Sequence, residues 1–120
     1  EPLAAYLTLA QRLWENPQLS GAYNFGPNAA ESAAVRDVIE LATQAFKKGT
    51  THYAETDEGP HEAGHLALEN SKARISLDIA PIWSLSEAIN HTMEWYRAYY
   101  DGTDARTLCQ RDITAYETSH

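Results

Sequence analysis

The chain has 120 residues, enough for one compact domain, and it is acidic, with 17 Asp and Glu against 9 Lys and Arg and a formal net charge of −8. No basic cluster is longer than Lys47-Lys48, which argues against nucleic-acid binding, and no apolar run approaches the roughly 20 residues that span a bilayer. We therefore expect a cytoplasmic protein that has neither nucleic-acid nor membrane partners.

The first predicted element is an amphipathic helix over residues 2–15. Pro2 suits a first helical turn, and Asn16-Pro17 ends the pattern. Apolar residues recur every three or four positions and predict a buried face made of Leu3, Leu7, Ala10, Leu13 and Trp14. Because the sequence begins with Glu1 rather than Met and enters this helix at once, we expect a fragment of a longer protein.

A short strand at residues 22–25, closed by a turn at Gly26-Pro27, is predicted next. A second helix is expected from about residue 32 to residue 46, with Lys47-Lys48-Gly49 as its C-terminal stop. Its predicted buried face consists of Val35, Val38, Ile39, Ala42 and Phe46. Another brief strand is predicted over residues 51–54.

Residues 61–65, His-Glu-Ala-Gly-His, fit the H-E-x-x-H pattern in which two histidines one helical turn apart hold zinc. That chemistry requires a helix, but Gly64 lies inside the motif and residues 55–60 form a polar, turn-forming run. The remaining histidines stand in no spacing that would supply a third ligand: His52, His91 and His120. We therefore favour loop histidines at a surface or pocket edge over a zinc hydrolase, and we predict no metal.

After this motif, apolar residues two apart predict a third short strand over residues 66–69. Ser71 is then expected to cap a short helix that ends near Leu77. Asp78 and Pro81 interrupt the chain after it.

The clearest local signal is a capping box, in which Ser84 is the N-cap of a long helix and Glu87 stands three residues later. The helix should end at Asp101-Gly102. Its predicted buried face consists of Leu85, Ala88, Ile89, Met93 and Tyr96. We interpret the aromatic residues near its end as core packing rather than as a platform for stacking bases.

A last helix is predicted from apolar residues at helical spacing: Ala105, Leu108, Cys109, Ile113 and Tyr116. Cys109 is the single cysteine, which excludes an internal disulfide framework, and its place on this face favours a buried packing residue over a nucleophile. The sequence therefore predicts an α/β chain, mainly helical, with about five helices and two or three short strands.

Six stretches, in this order, resemble the C-terminal part of the CDP-glucose 4,6-dehydratases of the extended short-chain dehydrogenase/reductase family. They are EPLAAYLTLAQRLW, GAYNFGP, VRDVIELA, HEAGHLALENSKA, PIWSLSEAINHTMEWYRAYYDG and LCQRDITAYE, and they cover nearly the whole chain. The YNFG stretch and the run from SKA to EWY recur among nucleotide-sugar epimerases and dehydratases. The EPL-x-x-YL-x-LA, HEA and C-Q-x-x-I-x-x-Y patterns favour the dehydratase.

This resemblance implies that residues 1–120 are a single substrate-binding lobe, and that the Rossmann lobe with its NAD site and Tyr-x-x-x-Lys pair lies outside the sequence. The lobe would bind a nucleotide sugar, and it would supply neither catalytic nor NAD-binding residues. The whole enzyme, a homo-oligomer with bound NAD, would convert CDP-glucose to CDP-4-keto-6-deoxyglucose for deoxysugar and O-antigen (lipopolysaccharide) biosynthesis.

The resemblance also implies a role for His61 and Glu62, which match a segment that places polar side chains at the nucleotide-diphosphate pocket. A histidine can donate to a phosphate or ribose oxygen, and a carboxylate can accept from a ribose hydroxyl or hold an arginine. His65 has no counterpart with an assigned role. The chain departs from the family at Ala4-Ala5, where Ser-Gly is usual, and at Asp78-Ile79, where Gly-Trp is usual.

Three alternatives stay open. An epimerase or reductase lobe would use the same scaffold, and a stand-alone helical interaction module would agree with the acidic composition. The zinc hydrolase is the least favoured.

Overall fold

A computed structural model of the chain describes residues 1–53 and 67–119. These ranges contain five helices: α1 Pro2–Glu15, α2 Val35–Phe46, α3 Ser71–Leu77, α4 Leu85–Tyr100 and α5 Ala105–Thr118. Two single 3-10 turns, Pro17–Leu19 and Ala29–Glu31, lie between α1 and α2. The prediction of a mainly helical lobe with about five helices is confirmed.

No β-strand forms within the described residues, so the strands predicted at 22–25, 51–54 and 66–69 are wrong wherever the structure describes them. A strand needs a neighbouring backbone to complete its ladder of hydrogen bonds. Here side chains take that place for residues 22–27. The Asn70 amide donates to the Gly26 carbonyl at 3.1 Å, and the Lys72 ammonium donates to the Ala22 carbonyl at 3.0 Å.

Helix α1 has its predicted bounds but not its predicted orientation. Ala5 is its buried residue, whereas Leu3, Leu7 and Trp14 are 76%, 75% and 91% exposed. The helix contacts α3 and the 3-10 turn at Pro17–Leu19, and Leu13 is half-buried. The prediction that this stripe is buried within the chain is therefore wrong for Leu3, Leu7 and Trp14.

Helix α2 begins about three residues later than predicted. Residues 29–31 form a 3-10 turn, and Ala34 becomes the N-cap, with its backbone N–H donating to the Asp37 carboxylate at 3.2 Å. Val35 is consequently 73% exposed instead of buried. The helix packs against α4 and ends at Lys47, which has the left-handed conformation expected of the Lys-Lys-Gly stop.

Helix α3 begins at Ser71, so Ser71 is not the cap that we predicted. Asn70 holds the N-cap position, and the backbone N–H and the hydroxyl of Ser71 both donate to the Glu69 carboxylate. Asp78 ends the helix at φ 55° and ψ 38°, a left-handed cap of the kind that glycine usually forms.

The predicted capping box of α4 is confirmed. The Glu87 backbone N–H donates to the Ser84 hydroxyl at 3.3 Å, and the Ser84 backbone N–H donates to the Glu87 carboxylate at 2.8 Å. The helix then runs to Tyr100, and its C-cap is Asp101, as predicted.

The core is small, and its buried apolar side chains are Ala5, Ala73, Leu77, Ile89 and Leu108. On α5 only a narrow face meets α4, and Leu108 occupies it. Cys109, about 100° further around the helix, is exposed, so its predicted burial is wrong. Ile113 and Tyr96, also predicted to be buried, are 57% and 46% exposed.

The molecule is flat, with extents of 51 × 39 × 21 Å and a radius of gyration of 17.4 Å. A compact chain of this length has a radius of gyration of roughly 14 Å. The accessible surface is 9315 Å², whereas compact monomers of this mass expose roughly 6,500 Å². None of the described helices is long and apolar enough to cross a membrane.

Candidate substrate-binding site

The predicted nucleotide-contacting residues, His61 and Glu62, lie outside the described residues, and so does His65. The described segment that follows the motif in sequence, residues 67–72, contacts residues 22–27. We call these two segments together the rim.

Three side chains fasten the two rim segments together. The Asn24 amide donates to the Glu69 carbonyl at 3.0 Å, and the Asn70 amide donates to the Gly26 carbonyl. The Lys72 ammonium lies 4.3 Å from the centre of the Tyr23 ring, in addition to its bond with Ala22. The rim is thus held by amide and ammonium donors that act on backbone carbonyls.

The side chains of residues 23–26, Tyr-Asn-Phe-Gly, have structural roles in the rim. The Tyr23 hydroxyl donates to the Leu19 carbonyl at 2.7 Å, and the Phe25 ring meets Tyr6 edge-on at 5.5 Å. A Cβ atom at Gly26 would lie 3.0 Å from the Leu68 side chain, so a glycine permits the close approach of the two segments. The stretch therefore positions the rim, and none of its side chains needs a catalytic role.

A cavity of about 210 Å³ lies behind the rim, between α1, α3 and the start of α4. Asn24 and Asn70 line it from the rim, and Trp83 and Tyr116 line it from the far side. Burial raises the pKa of Tyr116, and the negative Glu1 carboxylate raises it further, so the phenol stays neutral at physiological pH. Pockets for drug-sized ligands occupy roughly 300–1,000 Å³, so this cavity is too small for a whole nucleotide sugar.

The backbone amides at the start of α4 are already bonded to carboxylates. Glu31 accepts from the Leu85 N–H at 2.8 Å, and Glu1 accepts from the Ile82 and Trp83 N–H groups at 2.6 and 3.0 Å. A phosphate commonly binds at such a helix terminus. Here the protein's own acidic side chains hold the place, so a diphosphate would have to displace them.

Glu87 completes this arrangement at the start of α4. Hydrogen bonds from the hydroxyl and the backbone N–H of Ser84 hold the pKa of the Glu87 carboxyl below its usual range. The carboxylate is therefore ionised at neutral pH, as a capping residue at a helix N-terminus should be.

Within residues 1–53 and 67–119, no three His, Cys, Asp or Glu side chains form a group that could hold a metal ion. The H-E-x-x-H motif itself lies outside these ranges. The zinc hypothesis is therefore untested, and our preference for loop histidines stays a prediction.

A second concave feature, a cleft of about 290 Å³ between α4 and α5, was not predicted from the sequence. We call it the aromatic cleft, and its lining residues are Trp83, His91, Thr92, Trp95, Tyr96 and Asp112. His91 and Trp95 are four residues apart on α4 and so share a face, which is the signal that could have indicated it. Asp112 joins them only through the packing of α5, which no local pattern reveals.

No protein-family model matches the chain. Among curated proteins, it is similar to the CDP-glucose 4,6-dehydratase of Salmonella typhimurium, with 31% identity over 117 residues. The similarity covers 97% of this chain but 33% of that enzyme, so the chain spans about a third of the length of its relative. The matched region is the C-terminal part of the enzyme, and the resemblance that we inferred from the sequence motifs is confirmed.

Proposed function

We propose that this chain is the nucleotide-sugar-binding lobe of an NAD-dependent CDP-glucose 4,6-dehydratase. The observation that carries this proposal is the similarity to an enzyme of that name over 97% of the chain. Since the chain spans a third of that relative, the activity is that of a longer parent protein. Its net reaction is the loss of water from CDP-glucose to give CDP-4-keto-6-deoxyglucose, in the cytoplasm.

The described residues do not fit NAD. A dinucleotide site needs a glycine-rich turn that leads straight into a helix with free N-terminal amides. After the rim segment, Gly26 is followed by eight residues before α2 begins, and the N–H of its N-cap, Ala34, is bonded to Asp37. We therefore assign NAD, and the hydride chemistry that it supplies when bound, to the part of the parent outside this sequence.

The exposed apolar stripe of α1 supports the view that the chain is one lobe of a larger protein. Leu3, Leu7 and Trp14 are each at least 75% exposed, and the chain exposes roughly 2,800 Å² more than a compact monomer of its mass would. Such a surface fits a partner lobe of the same parent. Helix α1 is therefore the proposed contact with the N-terminal Rossmann lobe, and assembly into a homo-oligomer would use surfaces of the parent.

Within this lobe, His61 and Glu62 are the proposed contacts with the nucleotide. They precede residues 67–72 in sequence, a segment that Asn24 and Asn70 fix to residues 22–27 at the start of α3. A histidine N–H suits a phosphate or ribose oxygen, and a carboxylate suits a ribose hydroxyl.

The proposal is tested first by the reaction of the parent-length protein. We expect turnover of CDP-glucose to a 4-keto-6-deoxy product, with the other nucleoside diphosphate glucoses turned over more slowly. Conversion of the CDP-sugar to an epimer without loss of water would support an epimerase lobe instead. No activity on any nucleotide sugar by a folded parent that contains NAD would overturn the proposal.

The second test concerns the motif. In the parent, His61→Ala should raise KM for CDP-glucose by roughly 10- to 100-fold, as expected when a hydrogen bond to a charged group is lost, with a smaller change in kcat. His65→Ala is the matched control and should change KM little. Equal losses in both variants, reproduced by a chelator, would indicate a metal site, whereas a lowered melting temperature with an unchanged KM would indicate a structural turn.

A further inference from the structure

The side chains that line the aromatic cleft between α4 and α5 are held by ring contacts with each other and with their neighbours. The Trp83 indole stacks on the His91 imidazole, with centroids 4.1 Å apart and planes 13° apart, and its N–H donates to the Ser119 hydroxyl at 3.2 Å. The Trp95 indole stacks on Tyr99, with centroids 5.3 Å apart and planes 18° apart. Both indoles are thus positioned before any ligand enters.

The cleft also contains one carboxylate, that of Asp112, whose side chain is 26% exposed. Among the described residues its ionic partner is the adjacent Arg111, with a distance of 3.4 Å from Nε to Oδ1. The Nη2 of Arg111 also lies 3.5 Å from Oδ1, so both contacts end on the same oxygen, at the long limit for hydrogen bonds. Among the described residues, Oδ2 has no hydrogen bond and is the atom that we assign to a ligand. The net charge of −8 favours a cation as that ligand.

We propose that the aromatic cleft binds a guanidinium group. This cation is planar, stacks on indole and phenol rings, and pairs with a carboxylate through two parallel N–H groups. An alkylammonium ion would pair with the Asp112 carboxylate but would not stack on the flat rings. The carboxylate would repel an anion. The proposal is independent of the dehydratase assignment, because it rests on residues of α4, α5 and the segment before α4.

The binding test uses the full chain and the probe N-acetylarginine methylamide, whose blocked ends leave the guanidinium as its only charge. Trp14→Phe serves as the background, because Trp14 is 91% exposed on α1 and lies outside the cleft. The fluorescence then comes from Trp83 and Trp95 alone. We expect a saturable change with a Kd on the order of 1 mM, and weaker binding of the matching lysine derivative.

Two variants and one control locate the site. Asp112→Asn should weaken binding of the arginine derivative about tenfold, as for a lost hydrogen bond between charged groups, and Tyr96→Ala should weaken it to a smaller extent. Glu117→Gln removes the same charge from α5 outside the cleft and should leave the Kd unchanged. Circular dichroism checks that each variant keeps its helices.

The guanidinium group has two possible sources, an arginine of a protein partner and a small guanidine. A pentapeptide with a central arginine and four glycines distinguishes between them. If it binds at least tenfold more tightly than the arginine derivative, the natural occupant is an arginine of a protein partner; equal affinity identifies a small guanidine. The absence of saturable binding by the arginine derivative, or equal Kd values for Asp112→Asn and Glu117→Gln, would overturn the proposal.

Discussion

Ser84 makes one of the best-defined local contributions to stability in the chain. Its hydroxyl accepts from the Glu87 N–H, and both its hydroxyl and its backbone N–H bond to the Glu87 carboxylate. Loss of such an N-cap costs about 1 kcal/mol. We therefore expect Ser84→Ala to lower the free energy of unfolding, measured by chemical denaturation, by that amount.

Ser86→Ala is the matched control for this substitution. Ser86 is exposed in the first turn of α4, and its side chain has no hydrogen bond within residues 1–53 and 67–119. Alanine also has the higher helix propensity, so the control should leave stability unchanged or slightly increased. A Ser84→Ala variant as stable as the control would show that Ser84 is not the cap.

The same contacts predict a pH dependence. The pKa of Glu87 is lowered from its ordinary 4.5 by the bonds from Ser84, so the folded state favours the ionised carboxylate. The stabilisation is therefore complete well above pH 4.5 and is lost as the pH falls through the lower, folded-state pKa. The free energy of unfolding should decline on acidification, and the decline should be smaller in Ser84→Ala than in Ser86→Ala. Equal declines would contradict this assignment.

Glu69 adds a parallel contribution, because the side chain and the backbone N–H of Ser71 lower its pKa in the same direction. Its interaction explains why some acid sensitivity should remain when the capping box is removed. At the residue scale, carboxylates next to helix termini thus take the place that solvent or an anion would otherwise fill.

At the scale of single elements, the residue that ends α3, Asp78, has an unfavourable backbone conformation whose cost can be measured. Asp78 has a left-handed backbone at φ 55°, where a Cβ atom is unfavourable and glycine is the usual residue. We expect Asp78→Gly to be more stable than Asp78→Ala by about 1 kcal/mol, because alanine keeps the Cβ penalty and loses the local polar group. The difference between the two melting temperatures measures this, and a more stable alanine variant would contradict it.

The ends of helices were predictable because the signals are local. Asn16-Pro17 ends α1, the capping box begins α4, and both follow from residues within one turn. Ser71 was assigned wrongly because its neighbours compete: the Glu69 carboxylate takes the cap's role, while the Asn70 side chain bonds to Gly26.

Long-range features could not be predicted in the same way. Residues 22–25 have a sequence typical of a strand, but a ladder needs a second backbone, and for residues 22–27 the described structure has the side chains of Asn70 and Lys72 instead. Likewise, Cys109 lies on an apolar stripe of α5 that is wider than the face that α4 covers. The candidate site was reached only through the family resemblance, since a histidine and a glutamate in a loop carry no specific signal.

The shape of the whole molecule follows from the division between covered and uncovered helix faces. Helices α2 and α4 pack together, and α5 joins α4, whereas the buried side chains come from α1, α3, α4 and α5. Helix α1 buries Ala5 and contacts Phe25 through Tyr6, but it leaves Leu3, Leu7 and Trp14 exposed.

This arrangement leads to a prediction about Leu7, which is 75% exposed. In the 120-residue chain, Leu7→Gln removes little buried surface and should leave the free energy of unfolding nearly unchanged. In the parent-length protein, burial of a leucine against a partner lobe contributes about 1.5–3 kcal/mol, so the same substitution should be clearly destabilising there.

Leu108→Ala is the control for this comparison, because Leu108 is 2% exposed within the chain itself. Truncation of a buried leucine costs about 2–5 kcal/mol, and this loss should appear in both the short chain and the parent. We therefore compare the free energies of unfolding of both variants in the 120-residue chain and in the parent-length protein. A residue that another lobe covers should matter only in the parent, whereas a residue of the chain's own core should matter in both. If Leu7→Gln leaves the parent as stable as the unmodified protein, the stripe on α1 faces solvent there too, and the proposed contact between the lobes must lie elsewhere.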